Sequence, residues 1–546
     1  MTVLPALAQG IAVVAARDRV NWANEDWQEC TVAARLGNKD ELMVVAQNLT
    51  VGTRCAVSED GGETFCYSCP LPFADPGVVV DPSTDRFWLS GVGACTSPCL
   101  NVAWRDPGAS TLASCNWEYP LCCQNVEGDC EDEETEEIEW PCDLQPAPVC
   151  VYPAVFRSAG FLDKPLMAIG SGGRHFTTYL HDPSSGACNT NRNAWAGYSD
   201  DPMDTQEWTD SRIEPDDPVG CEFEGWGAKP VVLDDGRVVV VFRGYDAGYN
   251  DGLPVVAYSD SDGESWLPND DEPVPVAEGG NVVNVAPFNN SGSGDTPYYI
   301  DQRKCAPDIA VDRTTDRNDV YVAFYARAER NDDEEADKNS DIYISRSIDG
   351  GESFPGDNPN HLVQLTDEML GLETDDDGPD QIMPSIAVDP CGGVNLVFYD
   401  NRDDDDRTDD DHWLDLYYVR ITDYGGDNDI QQVRLTPNSF TLPSTHFLGH
   451  YHHMALAGPQ PTLYPAWMAI ETLPTGTRRS CFVNKISIVC SEELSGFSGS
   501  EEEACALWEE LVSSGRIEGD LDGDDDMDAD DEEIFFTALG HVKTED

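Results

Sequence analysis

Apolar and polar residues alternate with a period of two along most of this chain, in short runs broken by Asp, Gly and Pro, which is the pattern of half-buried strands. The stretch PSIAVDPCGGVNLVFYDNR, from Pro384 to Arg402, reads as one such strand, an Asp-Pro/Gly turn and a second strand. The same form recurs as PDIAVDRTTDRNDVYVAFYAR at Pro307, PGVVVDPSTDRFWLSG at Pro76 and KPVVLDDGRVVVVFRG at Lys229. KPLMAIGSGGRHFTTYL at Lys164, CTVAARLGNKDELMVVAQ at Cys30 and HMALAGPQPTLYPAWMA at His453 complete a set of seven units. Several are followed by a third strand, such as DIYISRS ending at Ser347, and no helical period competes across residues 30–490. A small sheet cannot bury both of its faces alone, but such sheets packed face to face in a ring can. The pattern therefore predicts an all-β fold, a β-propeller with seven blades by the count of units. A string of immunoglobulin-like sandwiches is the alternative architecture.

An eight-residue turn accompanies the repeat: SEDGGETF from Ser58 to Phe65, SIDGGESF from Ser347 to Phe354, and SDSDGESW from Ser259 to Trp266, where Ser261 replaces the Asp. It is expected between the third and fourth strands of a unit. There Asp349 would accept hydrogen bonds from backbone N–H groups of its own turn. Gly351 would supply a backbone angle closed to other residues, Ser347 would close the loop and Phe354 would tuck between blades.

These turns resemble the Asp-box, or BNR repeat, of sialidases and their relatives. The PSIAVDP units and FLGHYHHMAL at Phe447 are also similar to secreted bacterial sialidase-like proteins. The resemblance covers roughly residues 25–495 and implies a sialidase-like propeller, of six blades rather than seven. It also implies three arginines gripping a sugar carboxylate by bidentate contacts, for which Arg243, Arg327 and Arg402, each just after a second strand, are the candidates. A sialidase-type glycosidase further needs a Tyr nucleophile activated by Glu and an Asp acid/base; Tyr451, Tyr464 and Asp163 are the candidates here. The chain departs from the family in one respect. The first arginine of the family stands two residues before a blade-opening Pro, where this sequence has Asp163, Ala228, Cys305 and Ile382.

Charge changes the picture. The 546 residues carry 104 acids against 32 bases, a formal net charge of −72. Such a surface repels nucleic acid and anionic lipid and favours cations, calcium above all. The loops after the candidate arginines become acidic, as in RDDDDRTDDDH from Arg402, so each Arg has neighbouring Asp residues as alternative partners. A rim this negative suits an anionic sugar poorly. Two functions follow: a non-catalytic propeller binding glycans or cell-surface and extracellular proteins, or an exo-α-sialidase-type hydrolase of terminal acidic sugars.

Nineteen cysteines point to an oxidising compartment, hence a secreted or cell-surface location. Residues 1–24 contain Ala6-Leu7-Ala8 before Gln9, which resembles the end of an export signal. Within the propeller, expected over 25–495, a Cys-rich acidic insertion occupies about 105–150, and disulfides are expected to supply its rigidity. No apolar run is long enough for a membrane-spanning helix. His446, His450, His452 and His453 fall within HFLGHYHHM, either as a zinc or copper site or as a polar strand end lining the central channel.

Residues 496–546 read differently, as two amphipathic helices flanking DLDGDDDMDADD. Asp520, Asp522, Asp524, Asp528 and Asp531, with the carbonyl of Asp526, have the spacing that wraps oxygen ligands around one Ca²⁺. The segment resembles a single dockerin-type repeat or EF-hand, with Asp525 where that loop has Gly. A small C-terminal α-helical calcium-binding module is therefore expected.

Overall fold

Each of the seven sequence units forms the first two strands of its own antiparallel sheet in the computed structural model, which describes, with interruptions, residues 11–105, 161–283 and 306–489. The sheets begin with Gln28–Ala34, Phe73–Val80, Phe161–Ile169, Phe223–Val232, Asp308–Asp312, Gln381–Val388 and His453–Ala457, and are called sheets 1 to 7 below. The following strands pair outward in sequence order, apart from short additional strands in sheets 5 and 6. No helix occurs among the described residues. The predicted calcium loop, Asp520 to Asp531, and the insertion at 105–150 fall outside them, so neither expectation is addressed by the fold.

Neighbouring sheets pack on each other through their first strands. Sheet 1 touches sheet 2, and so on to sheet 7, whose strands His453–Ala457 and Thr462–Leu473 return to Gln28–Ala34. The sheets thus close a circle, which replaces the alternative of separate sandwiches. Two devices join its ends. Ile11–Val20, from the beginning of the chain, pairs with Gly476–Val489 as the outermost strand of sheet 7. Cys30 of sheet 1 is disulfide-bonded to Cys481 of sheet 7, across 451 residues of sequence.

The repeated turns have local causes. Asp81, Asp312 and Asp389 end three first strands, and each accepts the N–H two residues on, from Ser83, Thr314 and Cys391 at 2.8 Å. That Asx geometry makes the hairpin to the second strand. The eight-residue turns lie between third and fourth strands, as expected. Ser347 Oγ donates to Asp349 at 2.6 Å and accepts the Gly351 N–H at 2.8 Å, while Asp349 accepts the Ser353 N–H at 3.0 Å. Gly351 has φ 91°, and a Cβ there would stand 3.0 Å from Val239 of sheet 4. Phe354 is fully buried beside Val239 and Val241, so the turn seals sheet 5 against sheet 4. Arg237 of sheet 4 strengthens the seam by donating to the carbonyls of Asp349 and Gly350. In the variant turn, Ser259 still accepts the Gly263 N–H at 2.9 Å, and Ser261 meets Ser265 at 2.8 Å in place of the missing carboxylate. We call the face carrying these turns the rear.

Candidate functional site

At the opposite, front end of the circle, five first strands share an irregularity. The register of each slips at Glu29, Asp75, Lys164, Gly227 and Met383, all with φ between 49° and 62°. A bulge of this kind re-aims one side chain. Because the sheets are arranged in a circle, the bulges bring residues distant in sequence to one place.

Three of the bulge residues meet there. Lys164 Nζ lies 2.5 Å from Glu29 Oε1, 2.8 Å from Asp75 Oδ1 and 3.8 Å from Asp163 Oδ1. His450, just before the first strand of sheet 7, adds its ring Nδ1 at 2.9 Å and its backbone N–H at 3.3 Å, both to Glu29 Oε1. Glu29 is fully buried, and its Oε2 has no hydrogen-bond partner. Gly449 makes room for it, since a Cβ at that position would lie 2.5 Å from Glu29 Cγ. Tyr451 sits beneath Lys164, with Nζ 5.5 Å from the ring centre, and donates its hydroxyl to the Pro76 carbonyl at 3.2 Å.

Three carboxyls around one ammonium leave an excess of acid. Asp75 and Asp163 both face the Lys164 ammonium, at 2.8 and 3.8 Å. Burial pushes both carboxyls up, Asp163 to about 6. Burial opposes the Lys164 charge, but the surrounding carboxylates outweigh it and hold the ammonium well above its usual value. Burial, followed by the charge of Glu29, drives the Tyr451 hydroxyl well above the usual phenol range. The group is a preformed polar centre with one basic point, two carboxyls raised by burial and an unused acceptor.

A second, half-buried lysine lies toward the rear. Lys229 donates to Asp308 Oδ1, which also accepts the Ile309 N–H at 2.7 Å. Asp308 Oδ2 accepts from Ser385 Oγ at 2.7 Å and the Ile386 N–H at 3.0 Å. These donors hold the Asp308 carboxyl below its usual range despite its burial.

Of the sequence candidates, Asp163 and Tyr451 lie in the front centre. The arginines are placed differently. Arg402 is held by its own neighbourhood: Nε and Nη2 donate to Asp400 Oδ2 at 2.9 and 2.6 Å, and Nη1 to Gln432 of the fourth strand at 2.9 Å. Its guanidinium lies 3.8 Å from the Tyr417 ring centre. Arg243 is buried with its guanidinium 4.5 Å from the Tyr325 ring centre, between sheets 4 and 5. Arg327 lies near the end of Asp319–Ala328, opposite Val283, and its side chain is outside the described residues. Tyr464 is a core residue of sheet 7.

The histidines disperse. His450 turns to Glu29, His452 to the Val397 carbonyl at 3.4 Å, and His453 stacks on Tyr451 at 5.2 Å. Among the described residues no group of His, Cys, Asp and Glu could hold a metal ion. His446 lies outside those residues.

Glu29, Asp75 and Lys164 escape a search for arginines and tyrosines. Two of them carry a signal nonetheless: Asp75 and Lys164 each stand directly before the proline of a strand. Glu29 has none.

No family model matches the chain, and no curated protein matches it. Among solved structures, it is similar to a protein of unknown function from Dyadobacter fermentans, with 12% identity, 89% of this chain and 100% of that one covered, and a TM-score of 0.39. It is similar to polysaccharide lyase Uly1, with 10% identity, coverage of 88% and 99%, and a TM-score of 0.43. A Hadza microbial sialidase is similar at 11% identity, with coverage of 88% and 94% and a TM-score of 0.38.

Proposed function

We propose that the chain is a secreted or cell-surface seven-bladed β-propeller that binds glycan at the front centre without hydrolysing it. The observation that carries this reading is the state of Tyr451. Its hydroxyl donates to a backbone carbonyl, it is held protonated by burial, and none of the described carboxylates accepts its proton. A sialidase-type step needs that oxygen to be a nucleophile. Arg402, engaged by Asp400 and Gln432, is likewise withdrawn from a sugar carboxylate. The Asp-box turns support the carbohydrate class, through the resemblance they carry. With purified protein, a fluorogenic sialoside is expected to give no turnover above background. A glycan array is expected to show retained ligands, and retention lost in Glu29→Gln places them at this centre. Turnover abolished by Arg402→Ala would replace this reading with an exo-α-sialidase-type one, which the Asp163 carboxyl, titrating at about 6, favours as a general acid.

The tail loop, with Asp520, Asp522, Asp524, Asp526, Asp528 and Asp531 as ligands, is proposed to bind one Ca²⁺. Calorimetry on the full chain is expected to show calcium binding that Asp520→Ala with Asp524→Ala removes. An extracellular location fits both the cysteine content and the millimolar calcium found there.

A further inference from the structure

We propose a second binding site, at the rear of the central channel, for a small apolar carboxylate. A cavity of 260 Å³ lies there, lined by first strands of five sheets. Val32, Val78, Leu166 and Met454 are representative of its walls, and the polar side chains reaching it are Lys229 and His453. That volume equals the share of roughly eight or nine waters in the liquid, which suits a short alkyl or single-ring ligand. Apolar walls with one or two convergent polar groups are the usual form of a small-molecule pocket.

The polar groups define the head of the ligand. An ammonium has three N–H donors, and Asp308 is the hydrogen-bond partner that Lys229 has among the described residues. Asp308 is itself satisfied by Ser385 Oγ and the N–H groups of Ile309 and Ile386. Its negative charge is therefore spread over fixed donors, and two Lys229 donors remain for an anion in the cavity. His453 contributes a second contact. Burial, and then the nearby Lys229 charge, hold its imidazole well below the usual range, so it is neutral and keeps one ring N–H to donate. A carboxylate accepts both donors, while its chain lies along Val32, Val78 and Leu166. An alcohol of the same length meets the walls but accepts only weakly.

The site lies behind the front centre, with Tyr451 stacked on His453 between them, and its binding needs no glycan. Its test is calorimetry on the full chain at neutral pH, with hexanoate and hexanol as probes. Hexanoate is expected to bind one to one and about tenfold or more tighter than hexanol, as hydrogen bonds to a charged group imply. Ala455→Leu, which fills the cavity while keeping both polar groups, is expected to abolish binding. Lys229→Gln is expected to weaken hexanoate about tenfold and leave hexanol unchanged. Silence of the folded wild-type protein toward hexanoate, equal affinity for the two probes, or hexanoate binding that persists in Ala455→Leu would each overturn the proposal.

Discussion

Lys164 is buried and Lys229 half-buried where the first strands converge, and their surroundings differ in kind. Lys229 faces one carboxylate whose other lone pairs are filled by fixed donors. Lys164 faces Glu29, Asp75 and Asp163 together, and one Glu29 oxygen has no donor at all. Both oxygens of Asp308 are satisfied by fixed donors, whereas one oxygen of Glu29 is not. Buried polar groups are nearly always satisfied, so the unpartnered Glu29 oxygen sets the Lys164 centre apart.

Removing the central charge should separate the two most. Lys164→Met leaves three carboxyls without their cation and is expected to cost about 3–5 kcal/mol, measured by urea unfolding at pH 7. A cost below that of Lys229→Met would erase the contrast. The next effect is a pH dependence. Asp163 holds its proton up to about pH 6 when folded, but loses it near 4 when unfolded. Between those values the folded chain binds more protons, so this group's contribution to stability falls as pH rises through the window and is lost above it. Asp163→Asn is expected to flatten that slope and to gain about 2–3 kcal/mol at pH 7 relative to wild type. An unchanged pH profile would mean that Asp163 is ionised throughout.

Lys229→Met is expected to cost about 1–3 kcal/mol, less than the front lysine, because Asp308 keeps its other donors. Smallest is Ser385→Ala, at about 1 kcal/mol, one hydrogen bond to the same carboxylate. A loss as large as that of Lys164→Met would show that Asp308 is not independently satisfied.

The strand units were legible because alternation and Asx turns are local: Asp81, Asp312 and Asp389 each bond to residues two positions on. The eight-residue turns were legible for the same reason, down to Ser261 standing in for Asp. The arginines were less so. The sequence places Arg402 after a second strand beside acids, but whether it reaches inward or pairs with Asp400 depends on the fourth strand, which supplies Gln432. Proximity in sequence to His452 and His453 likewise suggested a shared metal for His450, whereas the bulged front end turns it toward Glu29.

By itself the sequence determined what depends on a few adjacent residues: strand, turn, the number of repeated units, and a large excess of acid. Only the tertiary structure decided which of those acids stand together. Glu29 and His450 are 421 residues apart, and no local preference couples them. They meet because the circle closes on itself and because a bulge in the first strand of sheet 1 turns a side chain toward the centre.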